Sequence, residues 1–204
     1  MQKGLTIIYV GDGKGKTSAA MGLAMRAAGT GLSVGILQFI KGEWPSGERD
    51  FINVFKEMKV PKNKMLGKIE IKELGRGFVK ILGDQKPFKV HQQAARQGLK
   101  ESIKILRASK YDIFILDELL SAYEEKLIKL SDVEKIIAAK PKNIHLVITG
   151  HKLPPKLKNK ADLITEMKMI KHPYYRGILA QQGIDYWFIE IPDTEFRVFP
   201  NLRE

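Results

Sequence analysis

Short apolar runs alternate along the chain with stretches that repeat apolar residues at three- and four-residue steps, a pattern that predicts strands and helices in turn. Residues 5–10 form a β-branched and aromatic run that stops at Gly11, and residues 18–28 carry small and apolar side chains at helical spacing. A second strand is expected at 33–39, after Gly29-Thr30-Gly31 stops the helix. Gly42, Pro45 and Gly47 mark 40–47 as a loop, followed by a helix over about 48–58 and a strand at 69–74. Glycines and a proline make 75–87 loop-like. In 90–107, Ala95, Leu99, Ile103 and Leu106 mark one buried helix face. A continuous apolar strand is expected at 112–116 and another buried strand at 144–149. Between them, Ser131-Asp132-Val133-Glu134 reads as a capping-box start for a helix through about 139. Weaker strands are expected at 162–170 and 186–191, joined by a polar loop over 171–185.

Alternating buried strands and helices imply an α/β fold: an open, mainly parallel sheet flanked by helices. A chain of 204 residues suits one such domain, expected over residues 1–191 with a C-terminal tail at 192–204. No apolar run approaches the roughly 18 residues that cross a bilayer, so no membrane role is expected. The opening residues lack the cleavage pattern of a secretory signal, and the reading is cytoplasmic. With no cysteine, disulfides, thiolate metal sites and cysteine nucleophiles are all excluded. The formal charge of +12 favours anionic partners. The lysines are interspersed with acids and accompanied by few aromatics, which reads as solvated surface and argues against nucleic acid.

The chemistry begins where the first strand ends. Gly11-Asp12-Gly13-Lys14-Gly15-Lys16-Thr17-Ser18 lies between a buried strand and a helix, the setting a phosphate-binding loop requires, and makes the expected sheet that of the P-loop NTPase, RecA-like architecture. Glycines let backbone N–H groups turn toward phosphate oxygens, the helix N-terminus adds a favourable dipole, and Lys16 adds a full charge. Thr17 offers a hydroxyl to Mg²⁺. The usual motif has four residues between its first glycine and the Gly-Lys pair, whereas Gly11 and Gly15 enclose three. Such a loop still cradles phosphate, but the entry orientation of kinases and ordinary ATPases is not to be assumed. Asp117 and Glu118 follow the apolar run ending at Leu116, where they could reach a Mg²⁺ held by Thr17. Glu118 is expected nearer the metal, with Asp117 supporting it.

These residues, together with Gln38-Phe39-Ile40-Lys41-Gly42-Glu43-Trp44-Pro45-Ser46-Gly47-Glu48, Leu116-Asp117-Glu118-Leu119, Ile148-Thr149-Gly150 and Ala180-Gln181-Gln182-Gly183-Ile184-Asp185-Tyr186, resemble the corrinoid adenosyltransferases of the CobA/BtuR type. The blocks agree in order and spacing over about residues 5–186. The resemblance implies that Co(I) of a corrinoid attacks the 5′ carbon of ATP and expels triphosphate. Co(I) brings its own electron pair, so no Ser-His-Asp or cysteine arrangement is needed. ATP, Mg²⁺ and a corrinoid are the implied ligands, a flavoprotein or other electron donor the implied partner, and a homodimer the implied assembly. Lys14 and Lys16 then fit neutralisation of the leaving triphosphate.

The chain departs from the family at two points. Where similar proteins show Gly-Phe-x-Trp, with aromatics over the lower cobalt face, this sequence has Gly77-Phe78-Val79-Lys80, in which Phe78 keeps an apolar role and Lys80 replaces the tryptophan. Where the family has an arginine for triphosphate oxygens, His151 and Lys152 follow Gly150. Two other readings share the loop and carboxylates: a phosphate-releasing ATPase or kinase, and a nucleotide sensor without turnover.

Overall fold

The structure is a computed structural model that describes residues 3–42, 46–59, 61, 65–77, 86–179, 181 and 183–184. Six strands, β1 (Thr6–Val10), β2 (Val34–Gln38), β3 (Ile69–Glu73), β4 (Ile113–Asp117), β5 (His145–Thr149) and β6 (Leu163–Glu166), pair in the order β3-β2-β4-β5-β1-β6. Every pairing is parallel, so the expected mainly parallel sheet is wholly parallel among the described residues. Helices α1 (Lys16–Gly29), α2 (Gly47–Glu57), α3 (Phe88–Arg107), α4 (Leu119–Glu124) and α5 (Leu130–Ala139) supply the connections from β1 to β5. None of the described helices is long and apolar enough to cross a membrane.

Strand alternation sorts the core into two layers. Ile7, Ile36, Ile115 and Val147 pack on one face, against Ala20, Ala24, Ala27 and Ala28 of α1 and Ile52 of α2. Ile8, Leu37, Phe114, Leu116, Leu146 and Ile148 pack on the other, against Ala95, Leu99 and Leu106 of α3 and Val133 and Ile136 of α5. A strand buried on both faces reads as continuous apolar sequence, which is why 113–116 and 146–148 carry no polar residue. The α1 alanines lack bulk, so the helix that leaves the phosphate loop lies close on the sheet.

The structure corrects several boundaries for identifiable reasons. The cap of α5 is Lys129, two residues before the expected Ser131, because Asp132 accepts a hydrogen bond from the Lys129 amide at 3.0 Å. β6 ends at Glu166, not near 170. Beyond it the chain turns over the phosphate loop, where the Gly13 amide donates to Met167 O at 2.8 Å and the Met169 amide to Asp12 Oδ1 at 3.1 Å. α4 has no counterpart in the expected elements, and neither do the 3-10 turns Pro155–Lys160 and Pro173–Arg176. These segments are too short to develop the periodicity that reveals a helix. The strand expected at 186–191, the tail at 192–204, Trp44, Phe78 and Lys80 lie outside the described residues.

β2 carries a glycine where the core leaves no room for a side chain. A Cβ on Gly35 would lie 2.3 Å from the Tyr111 ring, which crosses the strand and donates its hydroxyl to Glu70 Oε2 at 2.6 Å. Gly35→Ala should therefore destabilise the fold by about 1–3 kcal/mol through overpacking, read as a lower urea midpoint at unchanged m-value.

Candidate active site

The phosphate loop joins the C-terminal end of β1 to the N-terminus of α1. Gly11 (φ 117) and Gly15 (φ 107) take left-handed backbone conformations that side chains disfavour, and Gly15 caps α1. A Cβ on Gly11 would also lie 2.1 Å from Met167 O. The Gly11 amide donates to His151 O at 2.7 Å and the Gly13 amide to Met167 O at 2.8 Å. These two N–H groups thus anchor the loop to the segments after β5 and β6, and do not turn inward as the motif alone suggests. The amides of Lys16, Thr17 and Ser18 precede the first α1 bond, from Ala19 to Gly15 O at 2.7 Å. They form the positive end of the helix dipole, suited to an anion.

Lys16 Nζ donates to Gly11 O at 2.7 Å and Gly13 O at 2.8 Å, so its charge lies within the loop. Burial lowers its pKa, while Glu118, Asp12, Glu124 and Asp117 oppose that shift. Partial burial also lowers the pKa of Lys14. In both cases burial disfavours the charged ammonium, a cost that a bound anion would offset.

At the end of β4, two adjacent carboxylates are treated differently. Asp117 is fully buried and accepts from Thr17 Oγ1 at 3.0 Å, Gln38 Nε2 at 3.0 Å and Thr149 Oγ1 at 2.8 Å. Glu118 has Oε2 buried without a hydrogen-bond partner. Burial, and secondarily the Asp117 charge, push its pKa from the ordinary 4.5 to about 7, against the pull of Lys41 and Lys16. A buried carboxylate oxygen lacking a donor, beside a threonine hydroxyl at the phosphate loop, suits a hard divalent cation with oxygen ligands. The residues present therefore fit Mg²⁺.

Other expected residues take up more varied positions. Asp12 is tied by its carboxylate to the Met169 amide, and Ser18 is exposed at the first turn of α1. His151 lies next to the loop through its backbone carbonyl, with Nδ1 3.9 Å from Glu124 Oε2. Phe78 lies outside the described residues. Three residues in the site received no individual role from the sequence: Gln38 and Thr149, which hold Asp117, and Lys41, whose charge acts on Glu118. The available signal was a polar residue directly after an apolar run, as Gln38 closes β2 after Ile36-Leu37 and Thr149 closes β5 after Leu146-Val147-Ile148. A groove of about 1180 Å³ lies at the β3 edge, lined in part by Leu66, Ile71 and Tyr111. Three strands separate that edge from β1, and the groove plays no part in this site.

A glycine-lysine loop between a buried strand and helix, facing carboxylates across one intervening parallel strand, defines a P-loop nucleotide-binding protein. Comparison with known proteins then narrows the class. The chain belongs to the ATP:corrinoid adenosyltransferase family BtuR/CobO/CobP, which its sequence matches over residues 2–186. It is 32% identical over 185 residues to the corrinoid adenosyltransferase of Escherichia coli K12, covering 91% of this chain and 87% of that protein. The same identity and coverage relate it to the corrinoid adenosyltransferase CobA of Salmonella typhimurium LT2. Among solved structures, the flagellar accessory protein FlaH of Methanocaldococcus jannaschii superposes with a TM-score of 0.47 at 13% identity, over 80% of this chain and 70% of that one.

The raised pKa of Glu118 has a stability consequence. Between about 4.5 and 7 the folded chain holds a proton on this carboxyl that the unfolded chain releases. Its contribution to stability is thus fully present below 4.5 and is lost as pH rises through about 7. In metal-free buffer, Glu118→Gln should raise the melting temperature by a few degrees at pH 8. The gain should shrink as pH falls toward 4.5.

Proposed function

We propose that this chain transfers the 5′-deoxyadenosyl group of ATP to Co(I) of a corrinoid and releases triphosphate, in adenosylcobalamin synthesis or salvage. The carrying observation is the phosphate loop with one residue fewer than the usual motif, in a chain that matches the adenosyltransferase family over residues 2–186. In this reaction the Co(I) electron pair forms the cobalt–carbon bond. The C5′–oxygen bond breaks, and triphosphate leaves with its electrons. No proton need be removed, in keeping with the absence of a cysteine and with carboxylates grouped at the anion end of the site.

The protein's contribution is placement and charge. The first-turn amides of α1, with Lys16 and Lys14, hold the triphosphate and balance the charge that develops on the leaving oxygen. Thr17 and Glu118 would hold Mg²⁺, with Asp117 fixing the Thr17 hydroxyl. When bound, the ion supplies further positive charge to the phosphates. His151 takes the arginine's place beside the triphosphate, and Phe78 supplies the apolar contact to the lower corrin face. A flavoprotein or other reductant delivers the electron in the cytoplasm, and the working assembly is a homodimer.

Anaerobic incubation with ATP, Mg²⁺ and reduced cobalamin should yield triphosphate and a light-sensitive adenosyl corrinoid in equal amounts. ADP or inorganic phosphate as the only product would overturn the proposal in favour of an ATPase or kinase; ATP binding without any product would indicate a nucleotide sensor. Lys16→Ala should lower kcat by roughly 100-fold or more, the loss expected when one group that stabilises a departing anion is removed. Near-normal turnover would displace Lys16 from that role.

A further inference from the structure

Thr149 and Gly150 lie where β5 ends, between the strand that carries the phosphate loop and the strand that carries the carboxylates. Parallel register sets Thr149 against Tyr9 of β1, and Ile148 against Leu116 of β4. The Thr149 side chain is almost completely buried. Its single hydroxyl donates to Asp117 Oδ1 at 2.8 Å and accepts from the Glu118 amide at 2.8 Å. Both capacities of the group are thereby used on consecutive residues of the carboxylate pair.

The Glu118 backbone explains why this matters. Glu118 stands at φ 60, ψ 24, in the left-handed region, and is the N-cap residue of α4. A residue with a side chain stays there only when its surroundings over-determine the turn. Thr149 supplies one constraint by accepting the Glu118 N–H. Gly150 supplies the second: a Cβ there would lie 2.4 Å from Leu120 Cβ and 2.9 Å from Ser121 N, so the first turn of α4 closes against β5 only over a glycine. Asp117 is less dependent on Thr149, because Gln38 and Thr17 also donate to it.

We propose that Thr149 and Gly150 form a clamp that fixes the turn at Glu118 and so presents the Glu118 carboxylate to the Mg²⁺ of the bound nucleotide. Thr149 is a positioning residue that acts through the Glu118 amide and does not touch the ion. The proposal rests on the reading above in which Glu118 holds the metal.

The test compares Thr149→Val, Thr149→Ser, Gly150→Ala and Glu118→Gln. Three quantities are measured: the Mg²⁺ concentration giving half-maximal activity, the Mn²⁺ affinity of the ATP complex by EPR, and ATP affinity in EDTA by calorimetry. Thr149→Val removes the hydroxyl at nearly constant volume. It should weaken Mn²⁺ binding and raise the Mg²⁺ requirement by about tenfold or more, the cost typical of losing a group that orients a metal ligand. ATP affinity in EDTA should not change, and Thr149→Ser should restore wild-type values. Gly150→Ala keeps the hydroxyl but crowds Leu120, and should weaken Mn²⁺ in the same direction, which keeps the clamp testable if Thr149→Val does not fold. Unchanged metal affinity in Thr149→Val and Gly150→Ala while Glu118→Gln loses it would overturn the clamp alone. Unchanged affinity in Glu118→Gln would overturn the metal assignment itself. Equal losses of metal and metal-free ATP binding in Thr149→Val would reduce Thr149 to a packing residue.

Discussion

The site depends on burying two adjacent carboxylates at the end of one strand. Removing an ionised carboxylate from water costs several kcal/mol even after the protein relaxes. Asp117 offsets that cost with three donors, each worth about 1.5–3 kcal/mol to a charged acceptor. Glu118 has no such set: its Oε2 meets no donor, and its pKa rises to about 7. One carboxylate is thereby fixed as part of the framework, while its neighbour keeps a buried oxygen without a donor. Proximity in sequence did not make them equivalent, because their side chains leave the strand end in different directions.

Sheet order is what brings the three donors to Asp117. Thr17 comes from α1, Gln38 from the end of β2 and Thr149 from the end of β5. With β4 between β2 and β5, and β1 on the far side of β5, parallel pairing aligns all the strand ends at one edge of the sheet. An antiparallel neighbour would bring its start to this edge in place of its end. The glycines serve the same convergence: Gly11 and Gly13 let the loop press on the Met167 backbone, and Gly150 lets α4 close on β5. The loop is consequently braced from outside by its first two glycine amides, leaving the α1 terminus as its anion-facing part.

Much of this was legible in the residues. The phosphate loop occupies eight consecutive positions, and its function is carried by local backbone chemistry, so it can be read without knowing the fold. The core strands were legible because burial on both faces demands unbroken apolar runs. α4 escaped because six residues hold too little periodicity, and the true start of α5 because an aspartate side chain and a lysine amide decide it together. Gln38 and Thr149 were visible as members of motif blocks but carried no role there, since a polar residue closing an apolar strand can equally be a simple strand end.

By itself, then, the sequence determined the α/β class, the anion-binding loop, the pair of carboxylates and the family to which the blocks belong, all from short contiguous stretches whose chemistry is local. Tertiary structure decided which carboxylate is held and which is left open. It also decided that two loop amides face outward and that Thr149 bridges the pair. Those outcomes join Asp117 to residues 100, 79 and 32 positions away. Only the packing order of the strands determines which of many distant donors reaches a buried oxygen first.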